Sequence, residues 1–271
     1  MNPYLPIRKV PLDYNGISSS AYAVQMKHPG STDKMPEWKE AGVVGNSYML
    51  LPNEEVKNAA HQVAKECNIE FVHDKTFFNG RSFVYSMKSS HVAGEIKAGD
   101  DVALGMQFWN SYDGSKAFGF AMMLYRLICT NGMMSKDHFN TYRFKHEPKS
   151  ENWEENLEQV VTNINNLANG TLQLEQLISN LRKLNDLNVT TDVLGDIRHN
   201  HLQEIPVSIW GQIVDRFLLK ANALQLPPRD SYTGWELLNA STDLLWHKDN
   251  PTVATYGQNA TIVDGLCKAV A

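Results

Sequence analysis

The sequence predicts an α+β fold in which an antiparallel sheet, with helices on one face, precedes an all-helical C-terminal region. Two tight-turn dipeptides, Asn79-Gly80 and Asp113-Gly114, each separate apolar and aromatic runs and predict two β-hairpins. Beyond residue 150 the apolar residues recur at helical spacing. A polar stretch at 145–152 divides the two patterns. We therefore expect an extended N-terminal arm over 1–40, an α+β core domain over 41–148 and a helical domain over 149–271.

The first half is predicted element by element. Residues 1–40 are rich in Pro, Gly, Ser and Lys with little periodicity, which favours an arm able to pack on a neighbouring subunit. A strand is predicted over 43–51. A helix follows from Asn53, an N-cap residue with acids after it, to Cys67. The hairpins are then predicted over 69–88 and 101–124, and residues 125–134 complete the second hairpin or enter a helix.

The second half reads as a series of helices. Leucine, isoleucine and valine recur at helical spacing over 157–168 and again over 174–184, with a break near Thr171. Four further helices are predicted, and Thr233 with Glu236 has the spacing of a capping box. These helices are predicted over residues 191–202, 206–224, 233–247 and 255–269.

The composition is that of an ordinary globular protein, with 42% hydrophobic and 20% charged residues among 271. No apolar run approaches the ~20 residues of a membrane span, and the N-terminal residues lack a signal-peptide pattern. We expect a cytoplasmic protein, in the host cell if it is phage-encoded, with no membrane partner. The three cysteines are far apart, which favours reduced, buried thiols over a zinc site or disulfides.

The net charge of −5 is unevenly distributed along the chain. Residues 1–150 contain 17 Lys and Arg against 15 Asp and Glu, whereas the rest contain 8 against 15. A weakly basic first half is compatible with a polyanion ligand, and an acidic second half with a basic partner. A solvated surface of mixed charge explains the same numbers equally well.

Motifs for cofactors and metals are not found. There is no Gly-x-x-x-x-Gly-Lys-Ser/Thr loop and no Gly-x-Gly-x-x-Gly turn, so an ATP-driven motor is not expected and no cofactor is predicted. His199 and His201 lie two residues apart in a helical pattern, where their side chains point away from each other. No metal site is predicted.

Two short blocks concentrate polar residues at the corners of an apolar segment. Asn110-Ser111-Tyr112-Asp113-Gly114-Ser115 reads as a turn, and Arg126-Leu127-Ile128-Cys129-Thr130-Asn131-Gly132 reads as an element that ends where Asn131-Gly132 permits positive φ. These blocks, together with Asn239-Ala240-Ser241-Thr242 and His247, resemble a family of phage- and plasmid-borne proteins of unknown function over roughly residues 40–265. The motif and turn residues are Asn110, Asp113, Gly114, Cys129, Thr130, Asn131, Asn239 and His247.

Basic and aromatic side chains are interleaved along the predicted strands. Single-stranded nucleic acid requires such interleaving, because cations neutralise phosphates and flat rings stack on unpaired bases. Alternation also sends about half of the rings into a core, so each ring has a structural explanation as well. The candidate phosphate contacts are Arg81, Lys88, Lys116, Arg126, Lys136, Arg143 and Lys145, and the candidate stacking residues are Phe83, Tyr85, Tyr112 and Tyr142.

The order helix, sheet, helices also resembles the core of the single-strand annealing proteins, the group of the phage recombinases RecT, Redβ and Erf. The resemblance is one of topology, without a diagnostic motif. It implies an oligomer of this chain that binds single-stranded DNA in a basic groove without ATP. Our leading hypothesis is therefore a phage-encoded single-stranded DNA-binding or annealing protein that is not an enzyme.

Two other hypotheses remain open at the level of the sequence. A phage protein–protein interaction module would use the acidic helical region to contact a phage or host protein, with no nucleic-acid or catalytic activity. An enzyme centred on Asn110, Asp113, Asn131 and His247 is the third, although no nucleophile is evident beside these residues.

Overall fold

The computed structural model describes residues 2–31, 37–128, 131–137, 141–146, 153–169, 172–223, 232–247 and 253–271. The chain begins with an antiparallel three-stranded sheet formed by β1 (Ile7–Tyr14), β2 (Ile17–Lys27) and β3 (Trp38–Gly45), in that order. Asn15 and Gly16 connect β1 to β2 with positive φ at both residues (49° and 77°), the geometry of a two-residue hairpin. Residues 7–31 and 37–40 thus form strands and turns, where the sequence predicted an extended arm.

A six-stranded sheet contains the two predicted hairpins. Strands β4 to β8 are adjacent in chain order, and β9 also pairs with β7. The register joins the first half of β7 to β9 through Phe118 and Phe144, and the second half to β8 through Met123 and Met134. The strands are β4 (Phe71–Phe78), β5 (Ser82–Lys97), β6 (Asp100–Ser111), β7 (Phe118–Arg126), β8 (Gly132–Met134) and β9 (Thr141–Phe144).

Seven helices are described. None of the helices among the described residues is long and apolar enough to span a membrane. A two-stranded ladder, β10 (Asn188–Val189) with β11 (Tyr232–Thr233), interrupts the region that the sequence predicted to be all helical. The helices are α1 (Asn53–Glu66), α2 (Trp153–Ala168), α3 (Leu172–Lys183), α4 (Thr191–Asn200), α5 (Val207–Ala223), α6 (Gly234–Trp246) and α7 (Val253–Lys268).

The coarse prediction is confirmed, since the chain combines antiparallel sheets with helices and most helices follow the strands. The capping box is also confirmed. The Thr233 hydroxyl accepts from the Glu236 backbone N–H, and the Glu236 carboxylate accepts from the Thr233 N–H. At α1 the N-cap is Pro52, and the predicted cap, Asn53, is instead the first helical residue.

The chain divides into two compact units that do not follow the predicted boundary near residue 148. Unit 1 comprises Met1–Met87, Met106–Ala121 and Thr141–Ile164, and unit 2 comprises Lys88–Gly105, Met122–Asn140 and Asn165–Ala271. Each unit therefore combines a stretch of β5, β6 and β7 with its own helices.

The central strands are buried on both faces. Every residue from Val102 to Tyr112 is buried, and so is every residue from Phe118 to Tyr125. Because successive residues of a strand point to opposite faces, such continuous burial means that both faces are covered. The predicted open face that would present aromatic rings is therefore not found along β6 and β7.

Candidate functional site

A buried ion pair in unit 2 fixes the arginine of the second motif. Arg126, at the end of β7, donates from Nε to Asp100 Oδ1 at 2.5 Å and from its guanidinium NH2 group to Asp100 Oδ2 at 2.6 Å. The Asp100 side chain is 1% exposed, and the Arg126 side chain is 18% exposed. A carboxylate this deeply buried requires a charged partner, and the bidentate geometry supplies it.

Helix α6 completes this ion pair. The indole Nε1 of Trp235 donates to Asp100 Oδ2 at 2.9 Å, and the Trp235 ring lies 5.7 Å from the Arg126 guanidinium carbon. Burial raises the pKa of Asp100, but the hydrogen bonds from Arg126 and Trp235 and the charge of Arg126 outweigh it, so the net pKa lies below 3.8. Asp100 is therefore a carboxylate at neutral pH.

The same unit brings together the last residue of the second motif and two residues near the end of the chain. Asn131 Oδ1 lies 2.9 Å from His247 Nε2, and Asn131 Nδ2 donates to the Asn239 carbonyl at 3.4 Å. Asn239 Nδ2 donates in turn to the Trp235 carbonyl at 2.7 Å. Because an amide oxygen only accepts, His247 Nε2 carries the proton in this contact. The segment before β8 and helix α6, which are distant in sequence, thus meet in one hydrogen-bonded network.

The outer end of this network opens into a shallow pocket of ≈190 Å³. Asp243 lies one helical turn before His247, with 3.9 Å between the carboxylate and the imidazole, and Arg216 of α5 donates from Nε to Asp243 at 2.7 Å. The pocket offers an imidazole and an ion pair, and none of the described residues on its walls is a serine or a cysteine. The described residues contain no group of three or more metal-ligating side chains. The geometry favours a structural contact between helices over acid–base chemistry.

Unit 1 contains the first motif, where the side chains anchor other elements. Asn110 Nδ2 donates to the Leu51 carbonyl at 2.9 Å and to Asn53 Oδ1 at 3.0 Å. The Tyr112 hydroxyl accepts from the Asn53 backbone N–H at 3.0 Å, so the end of β6 holds the start of α1. Asp113 and Gly114 form the predicted turn. Gly114 has φ +70°, and Asp113 Oδ1 accepts from the Ser115 N–H at 3.0 Å.

The predicted enzyme centre is not assembled within either unit. Asn110 and Asp113 belong to unit 1, and Asn131 and His247 belong to unit 2. Cys129 and Thr130 lie outside the described residues. Gly132 begins β8 without the positive φ expected of it, and an added Cβ would meet the Trp246 ring at 2.6 Å. The motif glycine thus allows close packing of α6.

Three of the four predicted stacking residues are unavailable to a ligand. Phe83 is 0%, Tyr85 3% and Tyr112 1% exposed. Phe83 contacts Tyr4, Tyr85 stacks on His73, and Tyr112 packs in a core with Val24, Ala41 and Val44. The aromatic rings in these strands lie in the core because burying their apolar surface stabilises the folded state. Tyr142 is half-buried, and its hydroxyl is bonded to Asn163.

The predicted cations are divided between the units. Lys88, Arg126 and Lys136 belong to unit 2. Arg126 belongs to the buried ion pair with Asp100, and Lys88 is half-buried. Lys136 Nζ lies 3.4 Å from Thr261 Oγ1. The other four cations are exposed in unit 1, namely Arg81, Lys116, Arg143 and Lys145.

Those four cations share one end of the sheet in unit 1. The β4–β5 and β6–β7 turns lie at this end, and the Tyr112 N–H donates to the Arg81 carbonyl at 2.8 Å. Lys116 is bound through its backbone to Ser111 Oγ at 2.9 and 3.1 Å. Arg143 pairs with Gly119, which places Lys145 beside the start of β7. Since neighbouring strands are ~4.8 Å apart, the row from Arg81 to Lys145 spans roughly 15–20 Å. We call this row the turn-end cations.

Sequence reasoning missed the partners that give the motif residues their roles. Asp100 and Trp235 lie outside the motifs, and no local pattern marks an aspartate as buried. Asn259 of α7 was also missed, although its side chain bonds both the Met134 N–H and the Gly132 carbonyl at 3.0 Å. An asparagine at a buried position of a helix is the only signal that could have found it.

Comparison with known proteins identifies a family whose function is unknown. The family model described as Domain of unknown function (DUF932) matches residues 40–262. No curated protein and no solved structure matches the chain. The matched range includes every motif residue described above and more than half of the chain. The chain therefore belongs to the DUF932 family of proteins of unknown function.

Proposed function

We propose that this chain is a phage-encoded protein that binds single-stranded DNA and supports its annealing without ATP, as an accessory of recombination or replication. The turn-end cations are the observation that carries the proposal. Four exposed positive side chains from three separate stretches of sequence form a row at one end of a sheet in unit 1. A row of cations of this kind can neutralise successive phosphates along a nucleic-acid strand.

The local charges at this end support an anionic ligand. Asp113 is the acid of the β6–β7 turn, and its carboxylate is half-buried and accepts from a backbone N–H. The cationic side chains at this end are exposed, whereas that acid is directed into its turn. Glu55 of α1 lines the same cavity as Lys145, so four cations and two acids lie near this end, and a strand would meet more positive than negative charge there.

Salt-dependent binding tests the proposal. Fluorescence anisotropy with a labelled single-stranded oligonucleotide at low and moderate salt is expected to show binding that weakens as salt rises. Lys116→Gln and Arg143→Gln are each expected to lower the slope of log K against log salt by roughly 1, since each removes one phosphate contact. Absence of binding at low salt, or binding indifferent to salt, would contradict the proposal.

Lys65→Gln is the matched control for these variants. Lys65 is exposed in the last turn of α1, whose first residue is bonded to Tyr112 at the turn end. Twelve residues of helix separate Lys65 from that contact by about 18 Å. We expect this substitution to leave the salt slope unchanged.

A second candidate, a protein-interaction module, is favoured by apolar residues exposed on α5. Leu219 is 66% and Leu218 43% exposed, and Val207 at the start of the helix is 78% exposed. Such a surface suits another copy of this chain, or a phage or host protein. Light scattering after size-exclusion chromatography tests the first case: if the face is an interface, Leu219→Lys reduces the measured mass to that of one chain.

A further inference from the structure

A cavity of ≈470 Å³ lies in unit 1 beside the turn-end cations. Its walls come from β7, β9, α1 and the segment between β3 and α1. Phe118 and Phe144 form one wall with their rings nearly parallel, at an angle of 26° and 5.4 Å between centroids. Met49, Leu51 and Ala59 add apolar surface. The size and lining suit an organic ligand of low molecular mass.

One polar atom in the wall of this cavity is buried and has no hydrogen-bond partner among the described residues. His146 is 8% exposed, and its Nδ1 lies 3.0 Å from the Met49 carbonyl. A carbonyl oxygen only accepts, so Nδ1 carries the proton. Burial lowers the pKa of His146, which favours the neutral ring. Nε2 then carries a lone pair, and no group among the described residues donates a hydrogen bond to it.

The orientation of this histidine is fixed from both sides. Its ring stacks on Tyr48 at 4.5 Å, and the Met49 N–H donates to the His146 carbonyl at 2.8 Å. Leaving a buried acceptor unsatisfied costs about 1–3 kcal/mol. A ligand that donates a hydrogen bond to Nε2 removes that cost, so the cavity favours a molecule with an N–H or O–H group beside an apolar body.

The polar residues at the rim of the cavity further restrict the chemistry of the ligand. Asn58 and Gln62 of α1 present amides that both donate and accept, and Glu55 presents an acceptor. Lys145 lines the same rim and belongs to the turn-end cations. An aromatic wall, a lone-pair acceptor, amides and a nearby cation together match a flat heterocycle that carries N–H donors and is attached to a phosphate.

We propose that this cavity binds a single unstacked nucleobase, which lies against Phe144 and donates a hydrogen bond to His146 Nε2. The base belongs to a strand held by the turn-end cations, so in this form the inference rests on the proposed function. A free nucleoside offers the same chemistry without the strand.

Oligonucleotides with and without bases test the proposal. In anisotropy titrations a base-bearing strand is expected to bind the wild-type chain about tenfold more tightly than an abasic strand of the same length. His146→Leu is expected to abolish this difference while retaining salt-dependent binding, because Lys145 and Arg143 remain. His73→Leu, the same replacement at an exposed histidine of β4 that does not line the cavity, is the matched control and should retain the tenfold difference.

Equal affinity for both strands would overturn the base pocket and leave the proposed function standing. If neither strand binds, the proposed function is wrong. Titration of the wild-type chain with free nucleosides then tests whether the pocket binds a nucleobase. A change in the NMR resonance of His146 Nε2 on adding a nucleoside would support it. An unchanged resonance at saturating nucleoside would overturn it, and this measurement does not depend on any variant folding.

Discussion

At the scale of single residues, the buried Arg126–Asp100 pair is expected to be costly to break. Arg126→Met removes the guanidinium donors of the buried Asp100 carboxylate and leaves it the Trp235 indole, and removing one member of a buried pair costs about 3–5 kcal/mol. Arg216→Met is the comparison, because that side chain is 41% exposed in its pair with Asp243. We expect it to cost less than about 1 kcal/mol. Urea unfolding measures both, and equal losses would contradict this account.

The same carboxylate predicts a pH dependence. The folded-state pKa of Asp100 lies below its value in the unfolded chain, ~3.9, so its stabilisation is complete above that pH and is lost as the pH falls through the folded-state pKa. Asp100→Asn is expected to be less stable than wild type at pH 7 and to lose less stability between pH 5 and pH 3. Melting temperatures at a series of pH values test this. Parallel curves for the two proteins would exclude Asp100 as a source of acid sensitivity.

At the scale of elements, two glycines predict opposite effects of one added methyl group. Gly132→Ala forces a Cβ against the buried Trp246 ring, and overpacking of this kind costs about 1–3 kcal/mol. Gly211 lies inside α5, where an added Cβ meets nothing within 4 Å. Alanine there is expected to stabilise the helix by roughly 0.5–1 kcal/mol. Thermal unfolding of both variants checks the signs, and a destabilised Gly211→Ala would contradict the account.

The helices could be predicted from sequence more fully than the N-terminal strands. Helices α4 to α7 begin and end within two residues of their predicted limits, because periodicity and caps are local signals. The first hairpin was missed although Asn15-Gly16 is a strong turn signal, since the serines at 18–20 interrupt the apolar residues of β2 and Pro11 lies within β1. Their pairing with β3 depends on contacts distant in sequence, which no local pattern contains.

At the scale of the whole molecule, the sequence located the motif residues but not their roles. Asn110, Asn131 and Asn239 were predicted as turn or motif residues, and each is buried: Asn110 bonds the Leu51 carbonyl before α1, and Asn131 bonds the Asn239 carbonyl of α6. Three of the four predicted stacking residues are buried, which the sequence pattern did not predict. The alternation of apolar and polar residues along a strand predicts which side chains share a face, but it does not show whether both faces are packed against other elements. That packing decides whether Phe83 and Tyr85 are exposed to solvent.

Photo-cross-linking of a bound oligonucleotide, with the linked peptides located by mass spectrometry, tests most directly whether the turn-end cations hold the strand. We predict cross-links on peptides of unit 1 that contain Lys116, Tyr142 or Phe144, and their loss when Lys116 and Arg143 are both replaced by glutamine. Cross-links confined to helices α5 to α7, and unaffected by those replacements, would contradict the account.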